Sequence, residues 1–272
     1  MALIPPFFLH TVVAIGNRDS SGSVAWSATG FMLGTPIVES ENQYNVYLVT
    51  NRHVVETLEQ PVIRMNPIGL DPARVIDISV RDAEGKLTWS FHPSDDIDVA
   101  VTSINYGHNV LQDIEKTFFS SDKHTLTTPA MRDTGLGEAS RVVVLGFPMG
   151  IVGDVRNAVL VRSGSIARIR DLYEGNSRKF LIDATVLPGN SGGPVVQLVE
   201  TVAIEGTTSQ PKSHLIGIVA EYLAYSDIAI SQQTKRPRVS FEENSGLATV
   251  FPVELILETI QDWVNNHVAA NQ

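Results

Sequence analysis

The chain has 272 residues, 20 basic and 30 acidic, for a formal charge of −10, with 43% hydrophobic residues and no cysteine. The acidic balance and the lack of a long basic run exclude a sequence-independent grip on nucleic-acid phosphates, and the missing cysteines exclude disulfides, thiolate metal sites and a cysteine nucleophile. With only 18% charged residues the composition is that of a chain that folds around a substantial core. At the N-terminus an apolar patch, Leu3 to Leu9, is split by Pro5 and Pro6 and has no Lys or Arg before it. That is a poor signal peptide, and nowhere do about eighteen apolar residues run together, so the expectation is a cytoplasmic protein that binds no membrane.

From Leu9 to about Asn105 the apolar residues form short runs: Leu9–Ile15, Thr29–Leu33, Val46–Thr50, Arg74–Val80, Lys86–Phe91 and Asp98–Ile104. Turn formers such as Asp19-Ser20-Ser21-Gly22 separate them. A polar, irregular stretch follows to Ser140, and the pattern resumes with Val142–Gly146, Ala158–Ile169, Phe180–Ala184, Val195–Leu198, His214–Val219 and Ala248–Val250. This predicts an all-β protein of two lobes, 1–105 and 141–251, joined by a linker, 106–140. After Pro252 the positions Val253, Ile256, Leu257, Ile260, Trp263, Val264 and His267 recur at steps of three and four. The tail, 252–272, is therefore a predicted helix whose apolar face packs on the second lobe.

One loop between two predicted strands carries the sharpest chemical signal, Pro188-Gly189-Asn190-Ser191-Gly192-Gly193-Pro194. A serine hydroxyl is a weak nucleophile that needs an adjacent base, and its attack creates an oxyanion that backbone N–H groups must stabilise. Glycines permit the positive φ and close approach that such a loop requires. Without a partner, the same segment reads as an ordinary turn rich in Gly and Pro. Of seven histidines, only His53 has an informative setting, in Thr50-Asn51-Arg52-His53-Val54-Val55, where an apolar strand ends and a helical turn begins. Asp98 enters the apolar run Val99-Ala100-Val101, so its carboxylate must find a hydrogen-bond partner. Asp95 and Asp96 compete for that role from a polar turn.

These three blocks, in the order His53, Asp98, Ser191, resemble the signature blocks of trypsin-like serine peptidases, particularly the cysteine-free HtrA-like branch. Thr29-Gly30-Phe31-Met32-Leu33 and Val144-Leu145-Gly146-Phe147-Pro148 support the resemblance, which covers about Leu9 to Pro252. It implies a chymotrypsin-like double barrel, two six-stranded antiparallel β-barrels with the C-terminal helix added, and an active site between the lobes. It also implies His53 as general base and then acid, Asp98 as its orienter, Ser191 as nucleophile, and the N–H groups of Gly189 and Ser191 as the oxyanion hole. By the family's layout Thr185 forms the base of the specificity pocket and Ala220, Glu221 and Tyr222 a wall. A neutral floor favours small or medium apolar side chains, although insertions around Glu205–Ser213 and Tyr225–Glu243 reshape the surroundings.

Two features depart from the family. Asn190 stands where activated secreted members carry an Asp, so control is expected through loop order or a regulatory protein partner. Where HtrA-like proteins usually carry a peptide-binding PDZ domain, this sequence continues into the predicted helix 252–272. The expected substrate is a polypeptide, and the mechanism requires neither cofactor nor metal. His92-Pro93-Ser94-Asp95-Asp96 contains metal-ligand types but no metal-site spacing, and reads as a solvated turn. Two other functions share parts of the pattern. Gly189-Asn190-Ser191-Gly192-Gly193 fits the nucleophile elbow of an esterase, but Pro194-Val195-Val196 is a poor helix start. A latent or non-enzymatic protease-fold binding module keeps the same three blocks.

Overall fold

The computed structural model describes residues 3–38, 40, 42–107, 109–202, 205 and 208–268. The first lobe contains β1 (Val12–Arg18), β2 (Val24–Pro36), β3 (Tyr44–Thr50), β4 (Pro61–Met65), β5 (Arg74–Asp77), β6 (Ser90–Phe91), β7 (Ala100–Ser103) and β8 (Phe119–Ser120). Their order is β5-β4-β1-β2-β3-β7-β6, with β8 parallel to β2. The second lobe contains β9 (Arg141–Gly146), β10 (Leu160–Arg168), β11 (Phe180–Asp183), β12 (Pro194–Gln197), β13 (His214–Ile230) and β14 (Pro237–Pro252). These six close into a barrel in the order β10-β11-β14-β13-β12-β9. The architecture is thus all-β with two lobes, a C-terminal helix and short connecting helices such as α4 (Arg170–Tyr173). The second lobe is a closed six-stranded barrel, and the first is an eight-stranded sheet.

Alternation along the strands explains why they read as nearly unbroken apolar runs. Successive side chains point to opposite faces, and in β3 and β9 both faces are buried. In β9, Val142 and Val144 enter the core of the barrel, while Val143 and Leu145 enter a second core between the lobes. In β3, Val46 and Leu48 face the core of the first lobe, while Tyr47 and Val49 join the same inter-lobe core. That shared core also takes Phe8 from α1 (Phe7–His10) and Phe119 from β8. The rings of Phe8 and Phe119 lie 4.6 Å apart, and Phe31 meets Phe119 edge-on at 5.9 Å. Phe119→Ala removes a fully buried ring here and is expected to cost about 3–5 kcal/mol in urea unfolding. A loss below about 1 kcal/mol would mean that the lobes do not share a packed core.

The sequence reading needs three corrections. First, the helix α5 (Val253–Val268) does not pack on the second lobe alone. Its Trp263 ring stands 5.5 Å from Tyr47 of β3, and Glu258 bonds His92 just beyond β6, so it straps both lobes together. Second, the sequence reading passed over β4, whose residues are all buried, because Pro61 opens it and Arg64 interrupts the apolar run. Arg64 is accommodated by donating to the Val152 and Arg156 carbonyls. Third, the stretch read as irregular contains β8 and α3 (Thr128–Asp133) and supplies the buried Ile114, Phe119 and Met131.

The expected insertion Tyr225–Glu243 is a two-stranded ribbon in which β13 and β14 continue their pairing past the barrel to Ile230↔Pro237. The side chain of His267, and residues 206 and 207 of the other expected insertion, lie outside the described residues. No helix among the described residues is long and apolar enough to cross a membrane.

Candidate active site

His53 lies in α2 (Arg52–Thr57), a short helix that starts where β3 ends. Asn51 precedes it in extended conformation and uses its side-chain amide to hold the Asp98 carbonyl at 2.7 Å. The Asp98 carboxylate has two tasks. One oxygen accepts the His53 backbone N–H at 2.9 Å, and the other meets imidazole Nδ1 at 2.6 Å. An ionised carboxylate only accepts, so Nδ1 carries the proton and Nε2 presents its lone pair. The hydrogen bond to Asp98 raises the His53 pKa, burial opposes it, and the charges of Asp98, Glu221 and Glu56 add to the rise. Asp95 and Asp96 are placed elsewhere. Asp95 is 95% exposed beside Arg52, and Asp96 lies 3.9 Å from Arg178.

The serine loop is built on a turn. Asn190 N–H bonds the Leu187 carbonyl at 2.9 Å, Pro188 occupies the second position, and Gly189 takes φ +98° at the third. That is the signature of a type II turn, which needs positive φ where Gly189 sits. Asn190 reinforces it by accepting the Leu187 N–H on its side-chain oxygen at 3.1 Å. Around the turn the backbone groups are consumed in order. The Pro188 carbonyl takes the Met149 N–H at 2.7 Å, the Gly189 carbonyl takes the Thr29 hydroxyl at 2.6 Å, and the Ser191 carbonyl takes the Thr29 N–H at 2.9 Å. Gly192 N–H goes to Val219 and Gly193 N–H to Asn190. Two donors, the N–H groups of Gly189 and Ser191, have no acceptor among the described residues. Across a trans peptide the N–H points opposite to the C=O, so anchoring the Pro188 carbonyl to Met149 turns the Gly189 N–H the other way.

The loop meets the first lobe at Gly192. A Cβ there would lie 2.2 Å from the Thr29 carbonyl and 2.3 Å from the Thr50 hydroxyl, and Thr50 ends the strand that leads into His53. Ser191 and His53 are therefore brought to the same seam, with no hydrogen bond between the Ser191 hydroxyl and His53 among the described residues. Active-site bonds of this kind are often loose before substrate binds.

Thr29 and Met149 hold the serine loop of the candidate site, although sequence reasoning assigned them no role. Thr29 is fully buried, and its hydroxyl donates to the Gly189 carbonyl while accepting the Phe147 N–H at 3.0 Å. Its signal was a polar side chain at the head of the apolar run Gly30-Phe31-Met32-Leu33. Met149, at φ 56°, carried no signal, because its contribution is a backbone N–H. At the expected pocket, Thr185 is exposed, Ala220 is buried, Tyr222 packs against the barrel core, and Glu221 reaches Lys179 at 3.8 Å. His92 belongs to the lobe interface rather than to a solvated turn. It is buried, accepts the Ser94 N–H at 3.0 Å and lies 3.1 Å from Glu258.

Similar solved structures include the MamO protease domain from Magnetospirillum magneticum, 16% identical with a TM-score of 0.48, covering 93% of this chain and 96% of that one. They also include the Rv3671c protease of M. tuberculosis in an inactive form, 16% identical with a TM-score of 0.45, covering 94% of this chain and 89% of that one. No curated protein matches. The family described as the trypsin-like peptidase domain matches residues 28–203, well over half of the chain, and the chain belongs to that family.

Proposed function

We propose that this chain is a serine endopeptidase that hydrolyses peptide bonds through an acyl-enzyme on Ser191. The supporting observation is the pairing of an oriented imidazole, His53 held at Nδ1 by Asp98, with two unspent N–H groups at the serine loop. Nε2 of His53 takes the Ser191 proton as Oγ attacks the substrate carbonyl, and the Gly189 and Ser191 N–H groups stabilise the oxyanion. His53 then protonates the leaving amine. Water enters by the same route, His53 removing its proton and returning it to Ser191 as the carboxylate product departs. The exposed neutral Thr185 favours a small or medium apolar residue before the cut.

A fluorophosphonate tests this reading directly. The serine oxygen displaces fluoride at phosphorus, which leaves a covalent phosphonyl group on Ser191 that peptide mapping by mass spectrometry detects. Labelling at Ser191, absent in Ser191→Ala, is the expected result. A folded protein that stays unlabelled at neutral and mildly alkaline pH would instead be a scaffold with the same geometry.

A further inference from the structure

Strand β13 is far longer than the barrel needs. Leu215 to Ala220 are buried and Tyr222 still packs on the barrel core, whereas Leu223 to Ile230 run past the barrel and are mostly exposed. One side of β13 is paired with β14 from Gly217↔Pro252 to Ile230↔Pro237. The other side is covered by β12 only from His214 to Ile218, after which Val219 bonds Gly192 and Gly193. Beyond Val219 no described strand lies along that side. The result is an open edge of about ten residues, or about 34 Å at the antiparallel rise.

This edge begins at the catalytic seam. Val219 holds the residue after Ser191, and the charge of Glu221 acts on His53. Its defences are slight: the pairing with β14 shifts register at Val219/Tyr222, Tyr222/Ala224 and Ala229/Ile230, and Asp227 takes the Ile228 N–H on its carboxylate at 2.7 Å. Proteins usually blunt a long edge with Lys, Pro or a covering segment, yet Glu221-Tyr222-Leu223-Ala224-Tyr225-Ser226-Asp227-Ile228-Ala229-Ile230 contains neither Lys nor Pro. Instead it exposes Tyr225 (59%), Ile228 (53%) and Ile230 (60%). The paired strand β14 differs in opening with Pro237 and Arg238, whereas each strand carries two acidic residues, Glu221 and Asp227 on β13 and Glu242 and Glu243 on β14.

We propose that the substrate segment upstream of the cut bond, from about the fourth to the tenth residue, adds to the free edge of Leu223–Ile230 as an antiparallel third strand. The direction fits, because β13 runs away from Ser191, so an antiparallel partner runs towards Ser191 and delivers its C-terminal end to the serine. Backbone pairing supplies affinity with little sequence demand, and the exposed Tyr225, Ile228 and Ile230 favour apolar, β-branched residues in the added strand. The preferred substrate is thus an extended, unfolded apolar stretch rather than a folded loop. The inference rests on the peptidase reading.

The test uses fluorogenic peptides with one cleavage site and four, six, eight or ten upstream residues. The wild-type kcat/KM is expected to rise about tenfold from four to ten residues, mainly through KM. N-methylation of alternate upstream amides should abolish the gain in one parity and preserve it in the other, since antiparallel pairing uses every second residue. A variant in which Asn-Gly joins Tyr225 directly to Glu243 should cleave the four-residue peptide normally and lose the gain.

A flat length series, or equal effects of both N-methylation parities, overturns the proposal. So does a flat series accompanied by ribbon-dependent dimerisation, which would assign the edge to a second copy. If no peptide is cut and Ser191 is not labelled, the peptidase reading has failed. The edge is then judged by fluorescence polarisation with labelled ten-residue and four-residue peptides on Ser191→Ala, where tighter binding of the longer peptide supports the proposal and equal binding refutes it.

Discussion

Peptide hydrolysis is expected to fall by about 10⁶-fold in Ser191→Ala and by about 10⁴-fold in Asp98→Asn, measured as kcat on a short fluorogenic peptide. The two losses have different causes. Ser191→Ala removes the attacking atom and leaves the donors of the oxyanion hole in place. Asp98→Asn leaves every reacting atom in place but turns an acceptor into a mixed group. Its amide N–H₂ can face Nδ1 of His53, and the proton then sits on Nε2, where it blocks transfer from Ser191.

A pH profile separates this from simple misfolding. The bond to Asp98 is the largest cause raising the His53 pKa, so the acid limb of wild-type kcat/KM lies above the ordinary imidazole value of about 6.5. In Asp98→Asn the limb moves to lower pH while the plateau falls. Stability follows the opposite sense. A raised folded pKa contributes stability that is fully present below about pH 6.5 and is lost as the pH rises through the folded value. His53 is half exposed, so this contribution is small. A normal plateau in Asp98→Asn, or an unmoved limb, would remove Asp98 from the proposed mechanism.

The legible parts of this molecule are those that a side chain announces. Val142 to Leu145 and Val46 to Val49 are apolar at every position because they are buried on both faces, and such runs can be read without knowing their neighbours. Asp98 stood out from Asp95 and Asp96 because it enters an apolar strand, and it is the carboxylate that reaches His53. What escaped was decided by partners distant in sequence. The β4 segment needs the distant Val152 and Arg156 carbonyls to explain a buried Arg64, and α5 straps both lobes because Trp263 finds Tyr47. The ribbon escaped because its exposed residues have no burial pattern to display. Thr29 and Met149 act on the serine loop through a buried hydroxyl and backbone groups, and a backbone N–H has no letter in the sequence.

Gly189 is where backbone chemistry carries the largest single consequence. Gly189→Ala places a Cβ at φ +98°, 2.4 Å from the Phe147 carbonyl and 3.0 Å from the Met149 nitrogen. Those neighbours are backbone, so they cannot swing aside as a side-chain tip would. The positive φ adds roughly 1–2 kcal/mol of strain for any residue with a Cβ. The cheapest relief is rotation of the Pro188–Gly189 peptide, which converts the type II turn into type I, with negative φ at its third position. That rotation breaks the bond from Met149 N–H to the Pro188 carbonyl and carries the Gly189 N–H away from the substrate. Loss of one oxyanion donor is expected to lower kcat by about 10²- to 10³-fold with KM little changed, because the donor acts on charge that develops only in the transition state. Fluorophosphonate labelling should slow in parallel, since its phosphoryl oxygen uses the same donors. A kcat within a few-fold of wild type in a variant whose structure shows the Met149 to Pro188 bond broken would mean that the Gly189 N–H has no part in stabilising the oxyanion.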